Sequence, residues 1–322
     1  MDKKSSSLNL VQRAMNLGFD RAPLAQPLMP ADTVSSRLAD DLLVETMRRA
    51  EDRGPILREA APAADLRLNY ARFRDDKIIC PGNVDIATHN EFRTVKRRLL
   101  LAMQEAKPRE GRPSTLLVTS TLPGEGKTFT ALNLAAVLAA ERNMHVLLID
   151  GDAIKPSLPG YFTGAADTPG LTDVLDGSAR TMEAIHACAD IDNLSVMFAG
   201  SANPRASELM ASARMEEMLA ELARAYPDLF VVIDCSPVLS PEPAALAPHV
   251  DHAVMVIAAQ QTSRHQLRDA LEHLAACSHV SLLFNKSPRW RRDGRYYGYY
   301  APPQSSFPNP EEARNYAGPG VP

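Results

Sequence analysis

The sequence predicts an α/β chain: a mostly parallel sheet with helices on both faces, organised around a phosphate-binding loop. Apolar runs recur from residue 115 onward: "TLLVTS" (115–120), "HVLLID" (145–150), "LSVMFAG" (194–200), "LFVVID" (229–234), "HAVMVIAA" (252–259) and "VSLLFN" (280–285). Their apolarity is continuous rather than alternating, the pattern of strands covered on both faces. Helical stretches at 127–141, 207–225 and 263–277 lie between runs, and alternation of this kind builds a parallel sheet. The first run leads directly into "TLPGEGKTFTALNLAAVLA", a glycine-bearing turn followed by an apolar-periodic helix.

Composition bounds the rest. The 322 residues are 45% hydrophobic and 23% charged, enough for one sizeable core with appendages. A formal net charge of −4 gives no reason to expect nucleic acid as a partner. No apolar run is long enough to cross a bilayer and "MDKKSSSLNLVQRAMNLGF" lacks a secretory apolar core, so the expectation is a cytoplasmic protein. Cys80, Cys188, Cys235 and Cys277 form no C-x-x-C pair and suggest neither disulfides nor zinc.

Along the chain, Leu10, Val11, Met15 and Leu17 mark an amphipathic helix within residues 1–20, and residues 21–85 read as a largely flexible connector. Residues 86–288 form the main domain. It opens on "NEFRTVKRRLLLAM", where Phe92, Val95, Leu99 and Met103 share a stripe beside Arg93, Lys96, Arg97 and Arg98. Residues 289–322 turn to Arg, Gly, Pro, Tyr and Ser and read as a disordered, tyrosine-rich tail.

Against G-x-x-x-x-G-K-[ST], the residues Gly126, Lys127 and Thr128 fit the closing positions, Gly124 adds a permissive backbone position, and Thr121 stands at the first glycine. Glycines let backbone N–H groups turn toward phosphate oxygens, where a helix N-terminus adds its positive end. The nucleotide-binding stretch is then Pro123, Gly124, Glu125, Gly126, Lys127, Thr128 and Phe129. Lys127 reaches the β- and γ-phosphates and Thr128 binds Mg²⁺. Two more runs end in acids, "VLLIDGDAIKPSL" with Asp150 and Asp152 and "FVVIDCSPVL" with Asp234. In a parallel sheet these carboxylates converge on the edge that carries the loop, and Mg²⁺ takes hard oxygen ligands. Asp150 and Asp234 are assigned to the metal with Thr128.

The phosphate loop, "LLIDGD" and "VVIDCSP" resemble the Walker A, A′ and B motifs of bacterial tyrosine kinases, the P-loop NTPase autokinases of exopolysaccharide and capsule assembly. "NEFRTVKRRLL", "KPSLPGYF", "GLTDVLDG", "PRASELMAS", "LLFNK" and the tail are similar to the subgroup encoded beside exosortase (PEP-CTERM) systems. The resemblance implies an ATP- and Mg²⁺-dependent kinase whose substrate is its own terminal cluster, Tyr296, Tyr297, Tyr299 and Tyr300, phosphorylated by neighbouring copies in a homo-oligomeric ring. It implies that Asp152 orients the attacking hydroxyl, and the acids' roles are exchangeable. It further implies a membrane chain-length-determinant (co-polymerase) partner that brings the protein to the inner membrane, and an opposing tyrosine phosphatase. Asn285 resembles half of a base-contacting Asn-Lys pair, with a turn role open beside it.

The chain departs from the family pattern in two places. Ile154 stands where the A′ motif often has arginine, and Asn90, Arg93 and Lys96 align with an oligomerising E-x-x-R-x-x-R. The competing readings are a partition- or septum-site-type ATPase and a nucleotide-binding scaffold. Thr121 and Leu122, where that ATPase class carries a second lysine, count against the former.

Overall fold

A computed structural model describes residues 66–82, 85–106, 109–141, 143–164 and 168–287. The helix expected at 1–20, the connector up to residue 65 and the tyrosine tail lie outside these residues. The strands are β1 (Arg67–Leu68), β2 (Ser114–Ser120), β3 (His145–Asp150), β4 (Phe162–Thr163), β5 (His186–Ala187), β6 (Leu194–Met197), β7 (Leu229–Asp234), β8 (His252–Ala258) and β9 (Val280–Asn285). The helices are α1 (Tyr70–Asp75), α2 (Ile86–Ala106), α3 (Lys127–Ala139), α4 (Leu171–Asp176), α5 (Ala206–Met210), α6 (Ala213–Ala225), α7 (Pro241–Leu246) and α8 (Arg264–Glu272).

Seven strands form the central sheet in the order β5-β6-β3-β7-β2-β8-β9. Every neighbouring pair is parallel except β5 with β6. Because side chains alternate across a strand, the continuous apolar runs feed two cores. Leu116, Val118, Val146 and Leu148 face α2 and α3, while Leu117, Leu147 and Ile149 face α4, α6 and α8. The expected stripe on α2 is the buried one: Phe92, Leu99 and Met103 join the first core with Val95 beside them.

Four expectations are corrected. Residues 66–82, assigned to the connector, belong to the packed unit, with Leu66, Leu68, Phe73, Ile78, Ile79 and Cys80 buried in the first core. The strand expected over 194–200 ends at Met197, because the next carbonyls turn to receive helix α4: Leu171 and Thr172 donate N–H groups to Phe198 and Ala199. The helix expected over 207–225 is two helices. Ser212 adopts an extended backbone at the start of α6, and its hydroxyl donates to Leu209 O at 2.6 Å, closing α5. The helix expected over 263–277 ends at Glu272 and continues as turns.

Candidate functional site

The phosphate loop joins β2, at the centre of the sheet, to α3. Gly124 and Gly126 hold φ of 81° and 99°, values that favour glycine, and Gly126 caps α3. A Cβ on Gly126 would also meet Asn285 Nδ2, which would have to shift. Two residues at the end of β9 pin the loop from outside: Lys286 Nζ donates to Gly124 O at 2.7 Å and Asn285 Nδ2 to Glu125 O at 2.8 Å. In a trans peptide the next N–H points opposite the carbonyl. Pinning these two oxygens therefore turns the Glu125 and Gly126 N–H groups away from β9, toward the loop interior.

Glu125 is 1% exposed, and its carboxylate is a second brace. It accepts from Leu122 N at 2.7 Å, from Ala258 N at 3.0 Å and from the Thr262 hydroxyl. Its side chain thus ties the loop to β8 and holds no ligand, leaving only the backbone of Glu125 for nucleotide. Asn285 is likewise engaged within the chain, its Oδ1 accepting from Lys286 N at 2.8 Å. Both polar ends of the Asn285 side chain are thus engaged within the chain, on Glu125 O and Lys286 N. Phe129 packs edge-to-face on Phe92, with centroids 5.6 Å apart.

The three acids meet at this edge. Asp150 and Asp234 are register partners on β3 and β7. Wholly buried, Asp150 accepts from the backbone N–H groups of Asp152, Ser157 and Leu158 at 3.0–3.1 Å. Burial pushes its carboxyl up to about 6 against those hydrogen bonds. Asp152 accepts from Lys155 N at 2.9 Å and places Oδ2 3.5 Å from Lys127 Nζ, a pair whose side chains are only 7% and 15% exposed. Asp234 differs from both. It is fully buried, neither oxygen has a hydrogen-bond partner among the described residues, and burial pushes the carboxyl up to about 7, offset in part by Lys127 and Thr128. Thr128 lies near enough for its hydroxyl to lower that pKa, and its Oγ1 also stands 3.2 Å from Ser157 Oγ.

Pro123, Gly124, Glu125, Gly126, Lys127, Thr128, Asp150, Asp152 and Asp234 are thus brought to one edge of the sheet. Tyr296, Tyr297, Tyr299 and Tyr300 fall outside the described residues. Ile154 is 72% exposed beside Asp152. On α2, Asn90 and Arg93 are exposed, but Lys96 donates to Val137 O at 3.2 Å and pairs with Glu141 within the chain. Sequence reasoning missed Lys286, Ser157 and the Glu125 carboxylate. A basic residue directly after the last strand was the signal for Lys286; nothing local marks the other two.

The chain's residues 116–280 match the AAA domain family. It is 32% identical over 236 residues to the tyrosine-protein kinase YwqD of Bacillus subtilis, covering 73% of this chain and 95% of that protein. It is 30% identical over 188 residues to the tyrosine-protein kinase CpsD of Streptococcus pneumoniae, covering 57% of this chain and 80% of that one. In structure it resembles the BceF tyrosine kinase domain, with a TM-score of 0.53 at 24% identity over 86% of this chain and 97% of that domain, a likeness of fold. A match along nearly the full length of a relative establishes that the chain belongs to the bacterial tyrosine-protein kinase family, on an AAA-type P-loop fold.

Proposed function

We propose that this protein is an ATP- and Mg²⁺-dependent tyrosine autokinase that phosphorylates Tyr296, Tyr297, Tyr299 and Tyr300 on neighbouring copies and thereby regulates exopolysaccharide synthesis. The observation that carries the proposal is Asp234, a fully buried carboxyl with two unpartnered oxygens beside Lys127 and Thr128. Leaving such a group unsatisfied costs stability, and a cation bound there would remove that cost.

The donor set fits Mg²⁺. Thr128, Asp150 and Asp234 offer hard oxygens only, and among the described residues no cluster of three or more His, Cys, Asp or Glu could hold a metal by itself. That suits an ion which completes its shell with phosphates and water. When bound, Mg²⁺ neutralises charge on the β- and γ-phosphates. The protein supplies the rest. Lys127 exchanges Asp152 for phosphate oxygens, and the loop N–H groups hold the triphosphate in line. Asp152, released from its ion pair, orients the acceptor. The phenolic oxygen bonds to the γ-phosphorus, the bond to ADP breaks, and the proton passes late to Asp152, since a phenol with pKa near 10 is hardly ionised at neutral pH. A cleft of about 610 Å³ bordered by Pro156, Pro159, Pro169 and Phe198 opens beside the loop that follows β3 (residues 151–161, the A′ loop) and offers room for the acceptor segment.

The chain leaves β9 at the nucleotide edge, and about eleven residues carry it from Lys286 to Tyr297, a reach of up to roughly 40 Å. Each phosphotyrosine adds about −1.5 to −2 charge and opposes Arg289, Arg291, Arg292 and Arg295. The expected partners are further copies of the chain, a membrane co-polymerase at the inner membrane and a tyrosine phosphatase. No described helix is long and apolar enough to cross a membrane, so membrane association is assigned to the co-polymerase. The finer placement in the exosortase-associated subgroup rests on the motif likeness alone.

Incubating the full chain with labelled ATP and Mg²⁺ tests the reading. Label in the 296–300 peptide, lost with Lys127→Met, supports it. Free phosphate with an unlabelled peptide indicates an ATPase, and binding without turnover a scaffold; either result overturns it.

A further inference from the structure

The segment just before the domain boundary expected from sequence makes contacts that packing alone does not require. Leu66 exchanges backbone hydrogen bonds with Ala187 and Ala189 at 3.1 and 2.7 Å, and Leu68 N donates to Asp190 Oδ2 at 2.8 Å. On its other side β1 pairs antiparallel with β4, Arg67 opposite Thr163 and Leu68 opposite Phe162. Asn69 then takes two consecutive carbonyls of the A′ loop, its Nδ2 donating to Gly160 O at 3.2 Å and its N–H to Tyr161 O at 2.9 Å. Tyr161 donates its hydroxyl to Asp76 Oδ2 at 2.7 Å, with the Arg72 guanidinium 5.3 Å above its ring and ion-paired to Asp76 at 2.8 Å. Phe73, 1% exposed, meets Tyr161 and Phe162 edge-on. Finally Ile79 N donates at 2.9 Å to Asn133 Oδ1 on α3, the helix that begins at Lys127.

Of the contacted residues, Gly160, Tyr161 and Phe162 lie within a few positions of Ser157, which meets the phosphate loop at Thr128. A single 3-10 turn, Leu158–Tyr161, connects the carbonyls held by Asn69 to the Ser157 and Leu158 amides held by Asp150. Leu158 is wholly buried in the core that contains Phe73, and Ser157 Oγ lies 3.2 Å from Thr128 Oγ1. The turn is too short to absorb a displacement at one end without passing it on.

We propose that residues 66–80 form a clasp that sets the A′ loop against the phosphate loop, with Asn69, Asp76 and Tyr161 as positioning residues, so that a displacement of the clasp is felt at Asp150 and Thr128. The proposal rests on the phosphoryl-transfer reading of that site. Coupling of this kind is reciprocal: nucleotide at the loop must also steady the clasp.

The test uses the full chain, with amide hydrogen exchange and the affinity for a fluorescent ATP analogue with Mg²⁺ as readouts. Tyr161→Phe keeps the ring and deletes the hydroxyl. It is expected to speed exchange at Ser157 and Leu158 without nucleotide and to weaken analogue affinity about three- to tenfold, the range of one net hydrogen bond. Asp76→Ala should match it, Asp76→Asn, which retains an acceptor, should restore most of the affinity, and the Tyr161→Phe/Asp76→Ala double variant should be no worse than either single. Binding of the analogue to the parent chain should slow exchange at Leu68 and Asn69. Variants that lower only the melting temperature, with Ser157 and Leu158 exchange and analogue affinity unchanged, or nucleotide that leaves Leu68 and Asn69 unaffected, would overturn the clasp. Lys127→Ala is the control: if it leaves analogue affinity intact, the phosphate-site reading itself fails, and the clasp with it.

Discussion

The two ends of the central strands carry buried ionisable groups and treat them in opposite ways. At the end away from the phosphate loop, Asp251 accepts from Thr115 N at 2.9 Å and Thr115 Oγ1 at 3.0 Å, with Arg109 4.0 Å away. His252 beside it pairs with Ser281 Oγ at 2.8 Å, and burial together with the neighbouring His279 lowers its pKa to about 4. At the phosphate end Asp234 is deeper, unpartnered and raised to about 7. Asp251 is thus tied to Thr115 through Oδ2. Asp234, bare at a parallel sheet's carboxyl edge where such folds gather their ligands, is the group to which the proposed function gives a cation.

That contrast can be broken outright at Lys127. Lys127→Met removes the cation paired with Asp152 and should abolish labelling of the tail, a loss of more than about 100-fold, measured as phosphotyrosine formed per minute. No substitution at the opposite end should approach this.

Substituting the two acids in parallel sharpens the comparison. Asp234→Asn is expected to lose Mg²⁺-dependent turnover while stabilising the nucleotide-free protein at pH 8 by on the order of 2–4 kcal/mol, read by urea unfolding. Asp251→Asn should do the reverse, costing about 1–3 kcal/mol with turnover within about twofold. The pH sign follows from the shifts. Raised carboxyls at Asp150 and Asp234 mean that the folded chain holds protons the unfolded chain has released, so their contribution to stability is complete below about pH 4 and falls as pH rises toward 7. The lowered His252 acts oppositely: its cost, present in acid, disappears as pH rises from about 4 through 6.5. Asp234→Asn should therefore flatten the decline above pH 5, and an unchanged slope would contradict the assigned burial.

Glu125 tests whether the loop's own brace matters more than its ligands. Glu125→Ala leaves Leu122 N and Ala258 N without their acceptor, and a loss of about 2–3 kcal/mol with weakened nucleotide binding is expected from calorimetry of folding and binding. A smaller effect belongs to Lys286→Ala. It frees one exposed hydrogen bond to Gly124 O and should raise the apparent ATP constant a few-fold while leaving maximal turnover near that of the parent.

Local signals carried far where the element was long or the turn chemistry explicit. The strands entering Lys127, Asp150 and Asp234 were legible because seven- or six-residue apolar runs have few other uses, and their parallel arrangement predicted that the acids would meet. The segment 66–82 was not legible: its strand is two residues long and its helix six, too short to show a period. Asn285 was read for its likeness to a base contact and Glu125 as part of the ligand stretch. Which way those side chains turn depends on β8 and β9, more than 130 positions away, so the neighbouring residues of the loop carry no trace of it.

By itself, then, the order of residues determined the α/β class, the phosphate loop and the edge on which three carboxylates collect, since hydrophobic periodicity and glycine chemistry act over short stretches. Tertiary structure alone decided which acid is bare, which is tied to backbone amides and which leans on Lys127. Burial and hydrogen bonding are properties of neighbours in space, and those neighbours come from strands and loops scattered from Leu66 to Lys286.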